Sequence, residues 1–406
     1  MSIATELSTL ATNIGNAYDA ISAKSGTLPA NKNTNNLATA ISSIPSGGGG
    51  NIVNGVIKNY KANSSTISAN TFVEFINNIT TGTDTQLSSD TFSYNTLSAV
   101  ALDSTRVFVA HAANSARLHG VVCTISGSTI TVGTAVQLSS DGNSSQYNSS
   151  VLIDTDKVFV SHCYDGRNQY LYGVVCTING DVITVGTDTQ ITTSTRSCQY
   201  NSPISIDTNK VFIAHPVNNM SFYGVVCTIE GTTITVGTDT QLTTVGSSYL
   251  YASTLLLATN KVFIAHPSNG YLTGMICTIN GTNITVETDT QLSTIYYIYA
   301  ETSMVQLGNN KIFIAYGYPN DFSICGLICT VSGNNITTTT STVLTQRQNP
   351  NDYMSAALAD NNKILVTFNR ASHLYGVTCF VEGDTILAGS AIELSTLTNS
   401  YYYSSP

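Results

Sequence analysis

Short runs of apolar or alternating residues, broken by Asp, Asn, Gly and Ser, fill most of the 406-residue chain. Between 200 and 242 four of them follow one another: YNSPISID (200–207), KVFIAHP (210–216), FYGVVCTI (222–229) and TITVGTDTQL (233–242). Their length, β-branched content and intervening turn residues predict four strands joined by tight connections. The arrangement returns in units starting at Thr83, Thr134, Thr187, Thr238, Thr288 and Ser341, and a truncated unit starts at Ser390. The spacings are 51, 53, 51, 50, 53 and 49 residues, with no helical period between strands. Four strands repeated in this way is the pattern of a propeller blade, whereas the coils of a stacked solenoid, the runner-up, usually repeat every ~20–30 residues.

The expected fold is therefore an all-β propeller over residues 51–406. The last unit holds 17 residues (390–406), and the flank 51–82 holds 32, with the runs GVIKNY, TFVEFI and ITTGTDTQL. Together they make 49, one period. This predicts seven blades of four strands, the seventh shared between the two ends so that no sheet edge stays open. Six blades with an N-terminal flap is the alternative.

Upstream, the period changes. Ile3, Leu7, Leu10, Ile14, Ala17 and Ile21 recur at steps of four and three, an a/d seam ended by Ser25-Gly26. A second short helix is expected over 35–44, with Leu37, Ala40, Ile41 and Ile44 on one face. Residues 1–44 thus read as a helical anchor and self-association segment, and 45–50, Pro45-Ser46 and four glycines, as a flexible linker. Such a seam fits a homo-oligomer or docking on a larger assembly; its mixed Ile and Leu do not decide the number of strands.

Composition narrows the classes. Apolar residues make up 42% of the chain and charged residues only 10%. The formal net charge of −9 belongs to 51–406, because Glu6, Asp19, Lys24 and Lys32 cancel in the first fifty residues. A net-acidic chain without a basic stripe argues against nucleic acid as partner. The start, MSIATELSTLATNIG, has no basic and apolar leader pattern, and no run nears eighteen apolar residues, so neither a signal peptide nor membrane insertion is expected. Six of the nine cysteines, Cys123, Cys176, Cys227, Cys277, Cys329 and Cys379, occupy one mid-strand position per unit and read as small, free core residues. Disulfides and metal are not expected, since no CxxC pair exists, and a thiol-form chain fits folding in a reducing cytosol.

The copies do not vary evenly. Between the first and second runs stand DSTR, DTDK, DTNK, ATNK, GNNK and DNNK, and between the third and fourth SGST, NGDV, EGTT, NGTN, SGNN and EGDT. The connection after the second run and the one between units differ in both length and chemistry. In a four-stranded meander these two variable connections share one edge, and the constant turns share the other. Holding one edge constant and diversifying the other is the plan of a recognition surface.

Aromatics found only in the variable connections are the first ligand candidates: Tyr164, Tyr170, Phe222, Tyr249, Tyr271, Tyr296, Tyr297 and Tyr318, with Arg117, Arg167, Arg196 and Arg370 able to meet acidic sugars or phosphates. Tyr94, Tyr147, Tyr200, Tyr251, Tyr299 and Tyr353 recur at the start of the innermost run, so they read as packing residues first and as a ring of sugar-facing phenols second. His111, His162, His215 and His266 close the second run, where Tyr316 and Phe368 replace them; the position asks for a flat ring, not for a base or a metal ligand. No GxSxG, HExxH, phosphate loop or calcium loop occurs, so neither catalysis nor a cofactor is expected.

LATNIGNAYDAISAKSGTLPANKNTNNLATAISSIPSGGGG and NYKANSSTISANTFVEFI resemble stretches of bacteriophage tail and fibre proteins, and the repeats are similar to the propeller-like arrays such proteins carry. The resemblance implies a virion protein assembled in the bacterial cytoplasm. Residues 1–44 would meet other virion proteins, and the distal repeats a host surface glycan or protein. A decoration or adaptor protein binding only virion partners, and a stand-alone lectin, are the alternatives.

Overall fold

The computed structural model describes Tyr18, Ile79, residues 81–87 and residues 97–395, except 114–116, 140–145, 164–168, 195–199, 218–220, 245–251, 288, 296–301, 309, 319–322, 347–353, 361 and 371–372. The chain divides into two compact units, Met1–Thr71 and Phe72–Pro406. In the first, Tyr18 is helical and fully buried; the rest of the expected helical anchor and the linker lie outside the described residues.

The second unit is an all-β propeller, and the described residues hold six four-stranded blades, at 97–137, 146–190, 202–244, 253–291, 302–346 and 354–395. In the third, the innermost strand Ser202–Asp207 pairs with Lys210–Val217, which pairs with Ser221–Glu230. The fourth run predicted from sequence is interrupted. Thr233–Val236 pairs with one half of the third strand and Thr240–Thr244 with the other, across a bulge at 237–239. Every blade repeats this scheme.

Two glycine positions explain why the phrase is so constant. The turn glycines Gly127, Gly180, Gly231, Gly281, Gly333 and Gly383 have φ between 60° and 64° at the first of two central residues, the mark of a type II′ hairpin. Gly224, in the third strand, lies under the Phe212 ring: a Cβ there would stand 2.8 Å from the ring and 3.1 Å from Leu242. Phe108, Phe159, Phe212, Phe263 and Phe313 fill the same place in five blades and are fully buried.

The blades are stapled to one another at three levels. Along the inner strands a serine hydroxyl accepts from a backbone N–H of the next blade: Ser98 from Ser150 at 2.6 Å, Ser202 from Thr254 at 3.2 Å and Ser303 from Ala356 at 2.9 Å. The inner strand has a free edge towards the ring centre, so these hydroxyls satisfy donors that the sheet cannot. Ser occupies this position in all six blades: Ser98, Ser149, Ser202, Ser253, Ser303 and Ser355. At the constant turns, a cation opening the second strand reaches the turn of the next blade: Arg106 Nη1 donates to Gly180 O at 2.6 Å, and Lys311 Nζ to Gly383 O and Asp384 Oδ1 at 2.8 Å each. Lys261 Nζ makes the same contact with Gly333 O and Asn334 Oδ1, whereas Lys157 and Lys210 lie 3.8 Å from the carboxylates of their own turns.

The third staple joins a hydroxyl of one outer strand to the bulge of the next blade. Thr243 donates to Asp289 at 3.2 Å, and Ser395, at the equivalent place in the last blade, donates to Asp84 at 2.8 Å. Leu87 packs on Val109, Val121 and Cys123 as Leu242 packs on Ile264, Met275 and Cys277. Residues 81–87 therefore hold, between the sixth and first blades, the place that each outer strand holds between its own blade and the next. The remainder of the expected composite blade, 51–80 and 396–406, lies outside the described residues apart from Ile79.

The six repeat cysteines are free and buried, and burial pushes the thiols of Cys176, Cys227, Cys277, Cys329 and Cys379 up to about 12. One expectation needs correcting: Cys163 is disulfide-bonded. It ends the second strand beyond His162, outside the mid-strand position from which free thiols were inferred. The chain is thus not wholly in the thiol form.

Candidate functional site

The register places the two variable connections of each blade on one edge. Leu118, at the start of the third strand, donates its N–H to Ser139 Oγ at 3.3 Å where the outer strand ends. At the opposite edge Ile125 N–H bonds Thr105 O at 2.7 Å, bringing the two constant turns together. The constant turns are also internally tied. Asp103 Oδ1 accepts from the N–H groups of Thr105 and Arg106 at 2.8 and 2.9 Å, which with the Arg106 guanidinium holds its carboxyl well below the usual carboxylate range. Four copies bear Asp here (Asp103, Asp154, Asp207 and Asp360), which can cap the turn, and all six a cation; this edge is fixed by its own bonding.

Under the variable edge lies a layer of polar pairs that the histidine pattern only half revealed. His162 Nε2 meets Asp188 Oδ1 and His215 Nε2 meets Asp239 Oδ1, each at 2.9 Å, and His266 Nε2 stands 3.5 Å from Asp289 Oδ1. All three rings are fully buried. Where Tyr316 replaces His, the bulge residue is Ser341, bonded to the phenol, and burial raises the Tyr316 proton's affinity above that of a free phenol. Where Phe368 replaces it, the bulge residue is Ala391. The first blade departs from this pattern, with Ala135 at the bulge below His111, whose Nδ1 lies 3.0 Å from Ala112 O. In the second and third blades the carboxylate is committed to the ring. Sequence reasoning missed the partners because they lie 24–26 residues away in two of the pairs and on a strand interruption not foreseen.

The ligand candidates separate in the structure. Tyr164, Arg167, Arg196, Tyr249, Tyr296 and Tyr297 lie outside the described residues, as do Tyr94, Tyr251, Tyr299 and Tyr353. Phe222 is no surface residue: it is fully buried, with its ring 5.5 Å from that of His266 in the next blade. The third strand starts one residue before it, so a position read as loop is strand, facing the core. Tyr271 and Tyr318 are half-buried strand ends at the variable edge, Tyr271 directly after an Asn269-Gly270 turn with both φ positive. Arg117 is exposed and donates to Gln137 at 3.1 Å; the Arg370 guanidinium lies 5.6 Å from the Tyr375 ring centre.

Tyr147 and Tyr200, read first as packing residues, carry more information than that. Their rings meet edge to face with centroids 5.0 Å apart, across the boundary of the second and third blades. Both residues are half-buried and both have φ of 56°, a left-handed conformation that a bulky side chain rarely takes. Asn201 Nδ2 donates to Tyr147 O at 2.7 Å, and Asn201 Oδ1 accepts from Ser161 Oγ, so the amide locks the two strand starts together. No group of three or more His, Cys, Asp or Glu suited to a metal occurs among the described residues.

No family model matches the sequence, and no curated protein matches it. Among solved structures the fold is similar to that of the BP39L lectin from Burkholderia pseudomallei, at 9% identity, a TM-score of 0.57, and coverage of 75% of this chain and 85% of that one. Weaker likenesses include the Aleuria aurantia lectin bound to Fucα1-6GlcNAc (9% identity, TM-score 0.48, 75% and 97% covered) and the sialidase Hz136 (12%, 0.45, 68% and 62%). At such identities the likeness concerns the fold, and the fold it concerns is the β-propeller.

Proposed function

We propose that the chain is a virion appendage protein of the tail-fibre type whose propeller recognises a glycan on a bacterial surface. One observation carries this reading: in all six blades the constant turns share one edge, tied within and between blades, while the connections that differ in length and chemistry share the other. Loops on a rigid scaffold are where recognition is usually lodged. The shared fold with a protein named as a lectin adds support for sugar as the ligand class.

The virion part rests on the sequence phrases before the propeller and on the helical seam of residues 1–44, which would join copies of the chain and meet other virion proteins. A disulfide at Cys163 suits a particle that works outside the cell. The proposed role is binding without turnover: the sequence carries no GxSxG, HExxH or phosphate-loop pattern, and the half-buried Asp188 and Asp239 are engaged with His162 and His215. A stand-alone lectin is the second reading, favoured by the fold likeness.

The test has two arms. The intact chain should bind surface polysaccharide on a glycan array without degrading it, and a chain lacking residues 1–44 should fail to enter particles. Binding with no loss of incorporation supports the lectin; no binding to any glycan removes the recognition role.

A further inference from the structure

We infer that the variable edge holds a hexopyranose subsite between the second and third blades, built on Tyr147 and Tyr200 and positioned by Asn201. The inference rests on glycan recognition as proposed above and assigns it a place. Six non-glycine residues among those described have positive φ. Three are Asn269, Asn310 and Asn362, a residue type that tolerates this conformation. The other three are Tyr147, Gln169 and Tyr200, at φ 56°, 49° and 56°. Tyr147 and Tyr200 meet across the boundary of the second and third blades, and Gln169 stands two residues before the third strand of the second blade. Strain of this kind persists only where its surroundings impose it, and it gathers at sites that must hold side chains in set positions.

The chemistry of the spot fits a sugar. Tyr147 is half-buried and packs on the apolar cluster that contains Cys163, Leu171 and Ile213. Two aromatic rings set at an angle of 67° offer apolar carbon beside polar tips, the combination that the amphipathic ring of a hexopyranose meets with C–H groups and hydroxyls. Nearby charge is occupied, since Asp188 is bonded to His162. The Tyr-Asn pair occurs at 94–95, 147–148 and 200–201, while the later units read Tyr251-Ala252, Tyr299-Ala300 and Tyr353-Met354. The amide that ties Tyr147 to the next blade is thus a feature of the first three units and not of the repeat as such. Asn201 acts through Tyr147, as a positioning residue.

The experiment is saturation-transfer NMR on the intact chain with methyl glucoside, galactoside, mannoside and 6-deoxygalactoside. At least one should receive transfer. Tyr147→Ala and Tyr200→Ala should each weaken it about tenfold, near 1.4 kcal/mol. Asn201→Ala should weaken it less and raise Tyr147 ring mobility. Tyr200→Phe keeps the ring and should lose only a few-fold, and Val182→Thr, exposed beside a constant turn, should change nothing. Thermal melts within a few degrees of the parent show that the variants fold, and Tyr200→Phe keeps the test alive if an alanine variant does not. Undiminished transfer in folded Tyr147→Ala and Tyr200→Ala overturns this subsite and leaves glycan recognition standing elsewhere on the edge. No transfer from any of the four sugars, together with a blank glycan array, overturns both.

Discussion

The two edges of a blade are made by the same four strands, yet they solve different problems. At the constant edge every turn is a short, self-bonded loop, and its cation can continue into the neighbouring blade, as Arg106 does to Gly180 and Lys311 to Gly383. A change there disturbs two blades at once, which accounts for the narrow choice of residues. At the variable edge the pairs His162–Asp188, His215–Asp239 and Tyr316–Ser341 lie one layer down and tie the second strand of a blade to the outer strand of the same blade. Thr243–Asp289 and Ser395–Asp84 carry the coupling to the next. The connections above that layer are released from structural duty. Diversity is therefore confined to one side because the other side, and the layer beneath the diverse one, carry the assembly of the ring.

That contrast can be strained in order of effect. The buried pairs should matter most. His215→Phe leaves Asp239 facing an apolar ring and should cost about 2–3 kcal/mol in urea unfolding, since a polar group stripped of its buried partner loses its compensation. Adding Asp239→Ala reproduces the Phe368 and Ala391 combination of the sixth blade and should recover at least about half of that loss, a coupling readable in a double-mutant cycle. Simple additivity of the two changes would mean that the pairs are not units. At the constant edge, Lys311→Met removes a half-exposed clamp and should cost below ~1 kcal/mol, shrinking further in high salt. A salt-independent loss of several kcal/mol would place packing, not charge, in that contact. Least of all, replacing residues 218–220 by a Gly-Ser linker of equal length should leave stability within about 0.5 kcal/mol. A large loss there would show that the variable connections also hold the ring together.

Much of this was legible in the chain. A fifty-residue period with four runs per unit gave the propeller and the division into two edges, because turn chemistry and strand alternation are local and repeat faithfully. What stayed hidden is what depends on distance. Asp239 lay inside TITVGTDTQL, expected as one unbroken strand, and Asp188 and Asp289 in its counterparts, until the bulge turned them towards a histidine. The serine series at 98, 149, 202, 253, 303 and 355 was present as a constant letter, but its purpose, capping a free N–H on the next blade, exists only in the ring. Phe222 misled because its neighbours look like loop, while the strand begins at Ser221 and turns the ring inward. Tyr147 and Tyr200 were found as a repeat, but their left-handed backbone and the Asn201 bridge between them are not legible in it. Cys163 was missed because it sits off the position shared by the other six cysteines.

Hydrogen exchange of the intact chain, with and without the polysaccharide that an array selects, addresses the central claim most directly. The account predicts protection in peptides that cover the variable connections, strongest around 146–148 and 200–201, and unchanged exchange at the turns 103–105, 207–209 and 231–232. Protection centred on those turns, or spread evenly over both edges, would contradict it.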